Sequence, residues 1–160
     1  MQKMTPVWRK IIALLEKKDF NYRLWRHQPV VSSREAARVR GSKLSQAAKA
    51  LIFRADGKPI LIVVPGNCRV ATTRFKKLYR IKNLELIPAA EVKKLTGLER
   101  GAVPPLGNIL HLPTYVDRRL LEEKKIIFNA GTHIHSLILS PADFLSLVQP
   151  QIGDFSQSDE

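Results

Sequence analysis

The feature that most constrains this chain is a pair of apolar runs, Ala48 to Arg54 and Ile60 to Val64, joined through Asp56-Gly57. Asp-Gly tolerates the positive φ angles of a tight reversal, and β-branched and aromatic residues crowd both flanks. The pattern predicts a β-hairpin with partly buried strands. Lys49 is its anomaly, set among Ala47, Ala48, Ala50, Leu51, Ile52 and Phe53. Either it lies on the solvent face of an edge strand, or it is held at a pocket. In the second case its ammonium would bind a carbonyl, phosphate or carboxylate, and burial would lower its pKa.

Elements of both kinds surround the hairpin. Thr5-Pro6 opens an amphipathic helix over residues 5–18, with Val7 or Trp8, Ile11, Leu14 and Leu15 at helical spacing. Alternation at Phe20, Tyr22 and Leu24 predicts a strand that breaks near Pro29. Ser32 and Glu35 have capping-box spacing ahead of a short helix ending at Gly41. Thr72 or Thr73 is expected to cap a basic helix through Tyr79. Leu84 to Ile87 reads as a strand, and Pro88 to Gly97 as a helix. Residues 97–108 read as a loop. Ile109 to Leu112 and Thr114 to Val116 are expected as short strands around Pro113, with Asp117 capping a helical turn to Leu121. Ile126 to Phe128 and Ile134 to Leu139 read as late strands. Ser140-Pro141-Ala142-Asp143 starts a last helix, and the polar tail from Gln149 is expected to fray. There is no internal repeat, linker or regular βαβ alternation. The expected fold class is α+β, a single domain over residues 1–160, with a mixed or mainly antiparallel sheet and surrounding helices. Its core would span about residues 25–148, behind an N-terminal helix within 1–20 and ahead of a polar tail over 150–160.

Composition narrows the classes. The chain has 160 residues, 44% of them hydrophobic, enough for one domain with its own core. This argues against a disordered basic tail. Lys and Arg outnumber Asp and Glu 27 to 14, a net charge of +13, so polyanions are expected partners. The basic residues are dispersed from Arg34 to Lys82, which favours a folded basic face over a basic arm. No apolar run approaches the ~18 residues of a membrane span. Arg9, Lys10 and Glu16 to Lys18 interrupt what would be a signal-peptide core. A lone Cys68 excludes an internal disulfide and a multi-cysteine zinc site. The expected location is cytoplasmic, without membrane association.

Other residues invite chemistry. In Gly97 to Gly107, glycines let backbone N–H groups approach a ligand while Pro104 and Pro105 stiffen the loop. Such a loop is either an oxyanion-type site or a plain surface turn. His133 and His135, two apart, would share one face of a strand. No Asp, Glu or Cys stands at supporting spacing, so polar pocket or surface roles are preferred to a metal site. Cys68 would need a base to act as nucleophile, and an inert cysteine is the default.

Together these segments resemble a known family. Ser33-Arg34-Glu35-Ala36-Ala37 through Gly41, then Leu44, Gln46 and Ala48-Lys49-Ala50-Leu51, resemble the first block of the YbaK/ProX-type aminoacyl-tRNA deacylases. These are free-standing relatives of the prolyl-tRNA synthetase editing domain. Leu61 to Asn67, Gly101 to Gly107 (the family's Gly-x-x-x-Pro loop), Leu112-Pro113-Thr114 with Asp117, and Phe128-Asn129-Ala130-Gly131 follow in the family's order. The resemblance implies a hydrolase that removes a wrongly attached amino acid from tRNA by cleaving the ester at the terminal adenosine, without cofactor or metal. Lys49 would orient the substrate rather than attack it. Amides around Gly101 would hold the carbonyl or its oxyanion, and the substrate's ribose hydroxyl would help activate water. Pro105, Gly107, Leu51, Phe53, Gly131, Thr132, His133 and His135 are the implied substrate-binding residues. Mischarged tRNA is the implied partner, and an aminoacyl-tRNA synthetase a further candidate. The basic first helix and residues 69–82 are the stretches that would meet the acceptor stem. The alternatives are a non-catalytic tRNA- or synthetase-binding module on the same fold, and a site for another small acyl or nucleotide ligand.

Overall fold

The computed structural model describes residues 6–18, 20–30, 32–99 and 101–159. In chain order it contains α1 (Pro6–Lys17), β1 (Arg23–Arg26), α2 (Ser33–Arg40), β2 (Ala48–Ala55), β3 (Lys58–Pro65), β4 (Cys68–Val70), α3 (Thr72–Tyr79), β5 (Leu84–Leu86) and α4 (Ala89–Thr96). There follow α5 (Gly107–Leu110), β6 (Thr114–Asp117), β7 (Ile126–Asn129), β8 (His135–Leu139), α6 (Pro141–Val148), β9 (Gln151–Gly153) and β10 (Ser156–Ser158). Short 3-10 segments cover Leu44–Gln46 and Arg118–Glu122.

The hairpin is the centre of the molecule. β2 and β3 pair antiparallel from Ala48 opposite Pro65 to Ala55 opposite Lys58, reversing at Asp56 and Gly57 with φ of 47° and 87°. β5 adds antiparallel to β2, while β6 and then β9 add in parallel beyond β3, giving the order β5-β2-β3-β6-β9. This central sheet is mixed. The three-stranded β1-β8-β7 and two-stranded β10-β4 sheets are antiparallel. A bridge from Ala47 to Ile127 ties β7 to the start of β2.

Period-two alternation divides the hairpin between two cores. Ile52, Leu61 and Val63 face a larger cluster with Trp8, Ile11, Leu15, Phe128 and Phe144. Phe53, Ile60, Ile62 and Val64 face a smaller one with Phe75 and Phe155. β3 is covered on both faces, which is why its sequence is a continuous apolar run rather than an alternation. The predicted caps of α2 and α6 form: Ser32 Oγ accepts from Glu35 N at 3.1 Å and Ser140 Oγ from Asp143 N at 3.1 Å. Asp117 caps the 3-10 segment by accepting from Arg119 N at 3.0 Å.

Four expectations need correction. Ile109 to Leu112 is not a strand. Gly107 to Leu110 makes one helical turn closed by His111 at φ 59°, because its backbone pairs locally, Ile109 N–H donating to the Leu106 carbonyl at 3.0 Å and Leu112 N–H to the Gly107 carbonyl at 2.9 Å, instead of with a neighbouring strand. Neither Thr72 nor Thr73 caps α3; the N-cap is Ala71, without a side-chain bond. The strand expected around Phe20 lies later, at Arg23–Arg26, since Phe20 and Tyr22 pack against the larger core instead. The tail does not fray: after Gln149 turns at φ 52°, β9 joins the central sheet and β10 pairs with β4. Phe155 drives this, fully buried between the two strands, while its N–H donates to Asp117 Oδ2 at 2.8 Å. Thr5 lies outside the described residues, as does Val31.

Candidate active site

β2 carries Lys49 to the end of the hairpin opposite its turn, in register with Val64. There the start of β2, the end of β7, the beginning of α2 and the Gly101 loop enclose a cavity of about 440 Å³. That volume suits a small ligand. Lys49 is half-buried, and its Nζ donates to the Cys68 carbonyl oxygen. Burial lowers the pKa of this ammonium, opposed chiefly by the nearby Asp159 carboxylate. Arg34, Arg40 and Asp159 also line the cavity, so cations predominate around it.

Gly101 adopts φ 86°, a conformation that disfavours any side chain. Its carbonyl accepts from Asn129 Nδ2. Asn129 Oδ1 in turn accepts from Arg40 Nη2 at 3.0 Å, and Arg40 Nε donates to Ser136 Oγ at 2.8 Å. His27 Nε2 pairs with the same hydroxyl at 2.6 Å. A single network thus joins α2, β7, β8 and the glycine loop. Arg40 is 8% exposed, and its Nη1 is buried with no hydrogen-bond partner among the described residues. Burial lowers its pKa to about 10, which leaves it charged at neutral pH. His27 is held below the ordinary histidine range, first by burial and then by the Arg40 charge against an opposing bond to the Gln28 carbonyl, so the neutral ring is favoured.

Of the residues singled out from sequence, Lys49, Leu51 and Gly101 line the cavity together. Phe53, Pro105, Gly107, Gly131, Thr132, His133 and His135 are not among its lining residues. Phe53 is four residues along β2 from Lys49, about 13 Å at 3.3 Å per residue, and packs in the smaller core. Gly107 is pressed against Thr114. Gly131, at φ 84°, begins the β7–β8 turn. Thr132 Oγ1 organises that turn, accepting from the backbone N–H of His135 at 3.1 Å and meeting its Nδ1 at 2.8 Å. His135 stacks on Trp8 with ring centroids 4.5 Å apart, fastening α1 to β8. The His133 carbonyl accepts from Val30 N at 3.0 Å. Among the described residues, no three His, Cys, Asp or Glu side chains gather as a metal site would require.

Sequence reasoning missed Arg40, Asn129 and Asp159. Arg40 had a signal: it falls on the Ala36–Ala37 face of its helix, the buried one. Asp159 had none, since only the pairing of β10 with β4 brings it to Lys49.

The arrangement presents an ammonium, a rigid glycine turn and a cationic wall, with no carboxylate–histidine pair for strong acid–base work. It is suited to positioning an activated acyl group. Residues 27–147 match the aminoacyl-tRNA editing domain family, so the chain belongs to that family. It is 29% identical to the multifunctional Ser/Thr-tRNA deacylase ProXp-y of Escherichia coli K12, over 99% of this chain and 98% of that protein. It is 28% identical to the proline–tRNA ligase of Caldicellulosiruptor bescii, over 74% of this chain but 21% of the ligase. The fold superposes with a TM-score of 0.83 on a crystal structure described as "a putative trans-editing enzyme for prolyl tRNA synthetase", at 26% identity, covering 98% of this chain and all of that one. No described helix is long and apolar enough to cross a membrane.

Proposed function

We propose that this chain is an aminoacyl-tRNA deacylase that acts in trans, hydrolysing the ester between a wrongly attached amino acid and the terminal ribose of tRNA. The observation that carries this is that the half-buried Lys49 and the Gly101 turn line one cavity. An aminoacyl ester is already labile, so holding it and stabilising charge on its carbonyl oxygen lowers the barrier without a strong base. Lys49 orients the ester. Asn129 and Arg40 hold the Gly101 turn beside the ester, where the Gly101 N–H would stabilise the carbonyl oxygen, the Ala102 N–H being bonded to the Glu99 carbonyl at 3.0 Å. Water adds to the carbonyl carbon and loses a proton toward the substrate's ribose hydroxyl. That hydroxyl passes its own proton to the ester oxygen as the acyl C–O bond breaks, releasing free amino acid and the free ribose hydroxyl of the tRNA.

Small side chains suit the cavity, where Ala47, Ala48, Ala50 and Val103 stand beside Ser32 and Ser33. With a relative named as a Ser/Thr-tRNA deacylase, seryl and threonyl esters are the first to test. The experiment is a panel of mischarged tRNAs with purified protein. Hydrolysis of at least one above the spontaneous rate, lost in Lys49→Ala, is the expected result. A panel that decays no faster with protein than without it rejects the enzyme reading and leaves an RNA-binding module. A synthetase partner would show as a shift of both proteins in co-sedimentation.

A further inference from the structure

A second concavity, of about 610 Å³, lies outside the candidate active site. It is lined by Arg69 of β4, by Thr72, Thr73, Arg74 and Lys77 of α3, and by Gln157 of β10, with no acidic side chain among its lining residues. The elements that carry these side chains are firmly packed. Phe75, on the opposite face of α3, is fully buried against Tyr79, Tyr115 and Phe155. Arg74 Nη1 donates to the Ser156 carbonyl at 3.3 Å. Gln157 stands directly across the ribbon from Arg69, and its amide oxygen, turned toward Arg69, accepts from Nε and Nη2 at 2.7 Å. Arg69, Thr72, Thr73, Arg74 and Lys77 are all exposed. No salt bridge among the described residues involves Arg69, Arg74 or Lys77, whereas Arg54, Lys93 and Arg118 each have a carboxylate partner.

The groove and the cavity are joined along β4. Lys49 is bonded to the carbonyl of Cys68, the first residue of β4, and Arg69 and Val70, the next two, line the groove. Asp159, just after β10, lines the cavity and Gln157 of β10 the groove, so the end of this strand covers the same interval from the other side. Two residues of strand cover about 7 Å. A chain whose end sits at Lys49 therefore enters the groove within the length of a nucleotide or two.

We infer that this groove holds backbone phosphates of the single-stranded 3′ end of the RNA, just upstream of the nucleotide that carries the ester. The inference rests on the deacylase reading for the position of that end. It separates the two basic stretches: α3 and β4 take the strand adjacent to the ester, and the exposed Arg9 and Lys10 of α1 do not. The contact is to phosphate, so it is indifferent to base identity.

Arg74→Ala/Lys77→Ala tests this against Arg9→Ala/Lys10→Ala, which removes the same charge from α1. Binding of deacylated tRNA is measured by fluorescence anisotropy across a salt series. The groove variant is expected to flatten the log–log salt slope by about 1 to 2, near the value for two lost phosphate contacts, and the α1 variant to flatten it less. On mischarged tRNA the groove variant should raise KM several-fold with little change in kcat. Its loss on tRNA should exceed its loss on 3′-O-seryladenosine, which has no phosphate, at least fivefold. Equal slopes for groove variant and unmodified protein, or the larger change in the α1 variant, overturn the inference. If the unmodified protein hydrolyses neither ester, the deacylase reading fails, and the anisotropy series still decides whether the groove binds RNA.

Discussion

Lys49 is a cation that the fold partly desolvates. Its pKa is lowered from 10.5 in the folded state, so folding disfavours its protonated form. The sign follows: its contribution to stability is unfavourable at neutral pH, and the penalty fades as pH rises from the folded value toward the unfolded one. Lys49→Met should therefore leave the melting temperature unchanged or slightly higher at pH 7 while abolishing deacylation. A large fall in Tm would show that the ammonium's bond to Cys68 outweighs its desolvation. In the active protein, kcat/KM corrected for spontaneous hydrolysis should fall on the alkaline side with an apparent pKa below 10.5. Arg40 is a different case, because its bonds hold Asn129 and through it Gly101. Arg40→Leu strands the Asn129 oxygen, which costs about 1–3 kcal/mol. Urea unfolding measures this, and activity should drop in conditions where the variant is still fully folded. Lys49 was legible in the sequence as a charge inside an apolar run. Arg40 was not read, because one basic residue among five in α2 and its surroundings, Arg34 to Lys49, looks like the rest until the helix is docked.

Elements with local signals were the legible ones. The hairpin, the Ser32 and Ser140 caps and the Gly97 stop depend on neighbours a few residues away, and all form where expected. The misread elements depend on contacts that no short sequence pattern encodes. Gly107 is the clearest: a Cβ there would lie 1.6 Å from Thr114 Oγ1 and 2.5 Å from the Leu112 carbonyl oxygen. The second atom belongs to the backbone and cannot swing aside. Gly107→Ala should thus destabilise by about 2 kcal/mol or more, in the range of an overpacked core, as read by thermal melting. The apolar Ile109 to Leu112 run read as a strand, and its backbone instead closes on itself, the Leu112 N–H donating to the Gly107 carbonyl at 2.9 Å. The C-terminal strands behave likewise. Phe155→Ala empties a fully buried aromatic site and should cost about 3–5 kcal/mol. It should also loosen β10, so activity falls with it; a variant as stable as the parent would mean that the tail is peripheral.

At the scale of the whole molecule, the net charge of +13 is spread over a folded surface. Binding of any tRNA should weaken steeply with salt, because each neutralised phosphate releases counterions. Specificity for the amino acid should be nearly insensitive to salt if, as proposed, the side chain is selected inside the cavity, which Ala48, Leu51 and Val103 help to line. Measuring deacylation of seryl- and threonyl-tRNA at two ionic strengths separates these effects: KM should rise for both, and their ratio should hold.

The fold class, the central hairpin and the suspicion attached to Lys49 came from the sequence by itself, since alternation, turn chemistry and capping are local and leave local marks. Which residues share the cavity with Lys49 was decided by tertiary structure alone. Phe53, four residues away on the same strand face, is carried out of reach by the rise of the strand. Asp159, more than a hundred residues away, is carried in by the pairing of β10 with β4. Proximity in a pocket depends on strand register and crossover, and these are fixed by the burial of residues such as Phe155 against partners that no local pattern names.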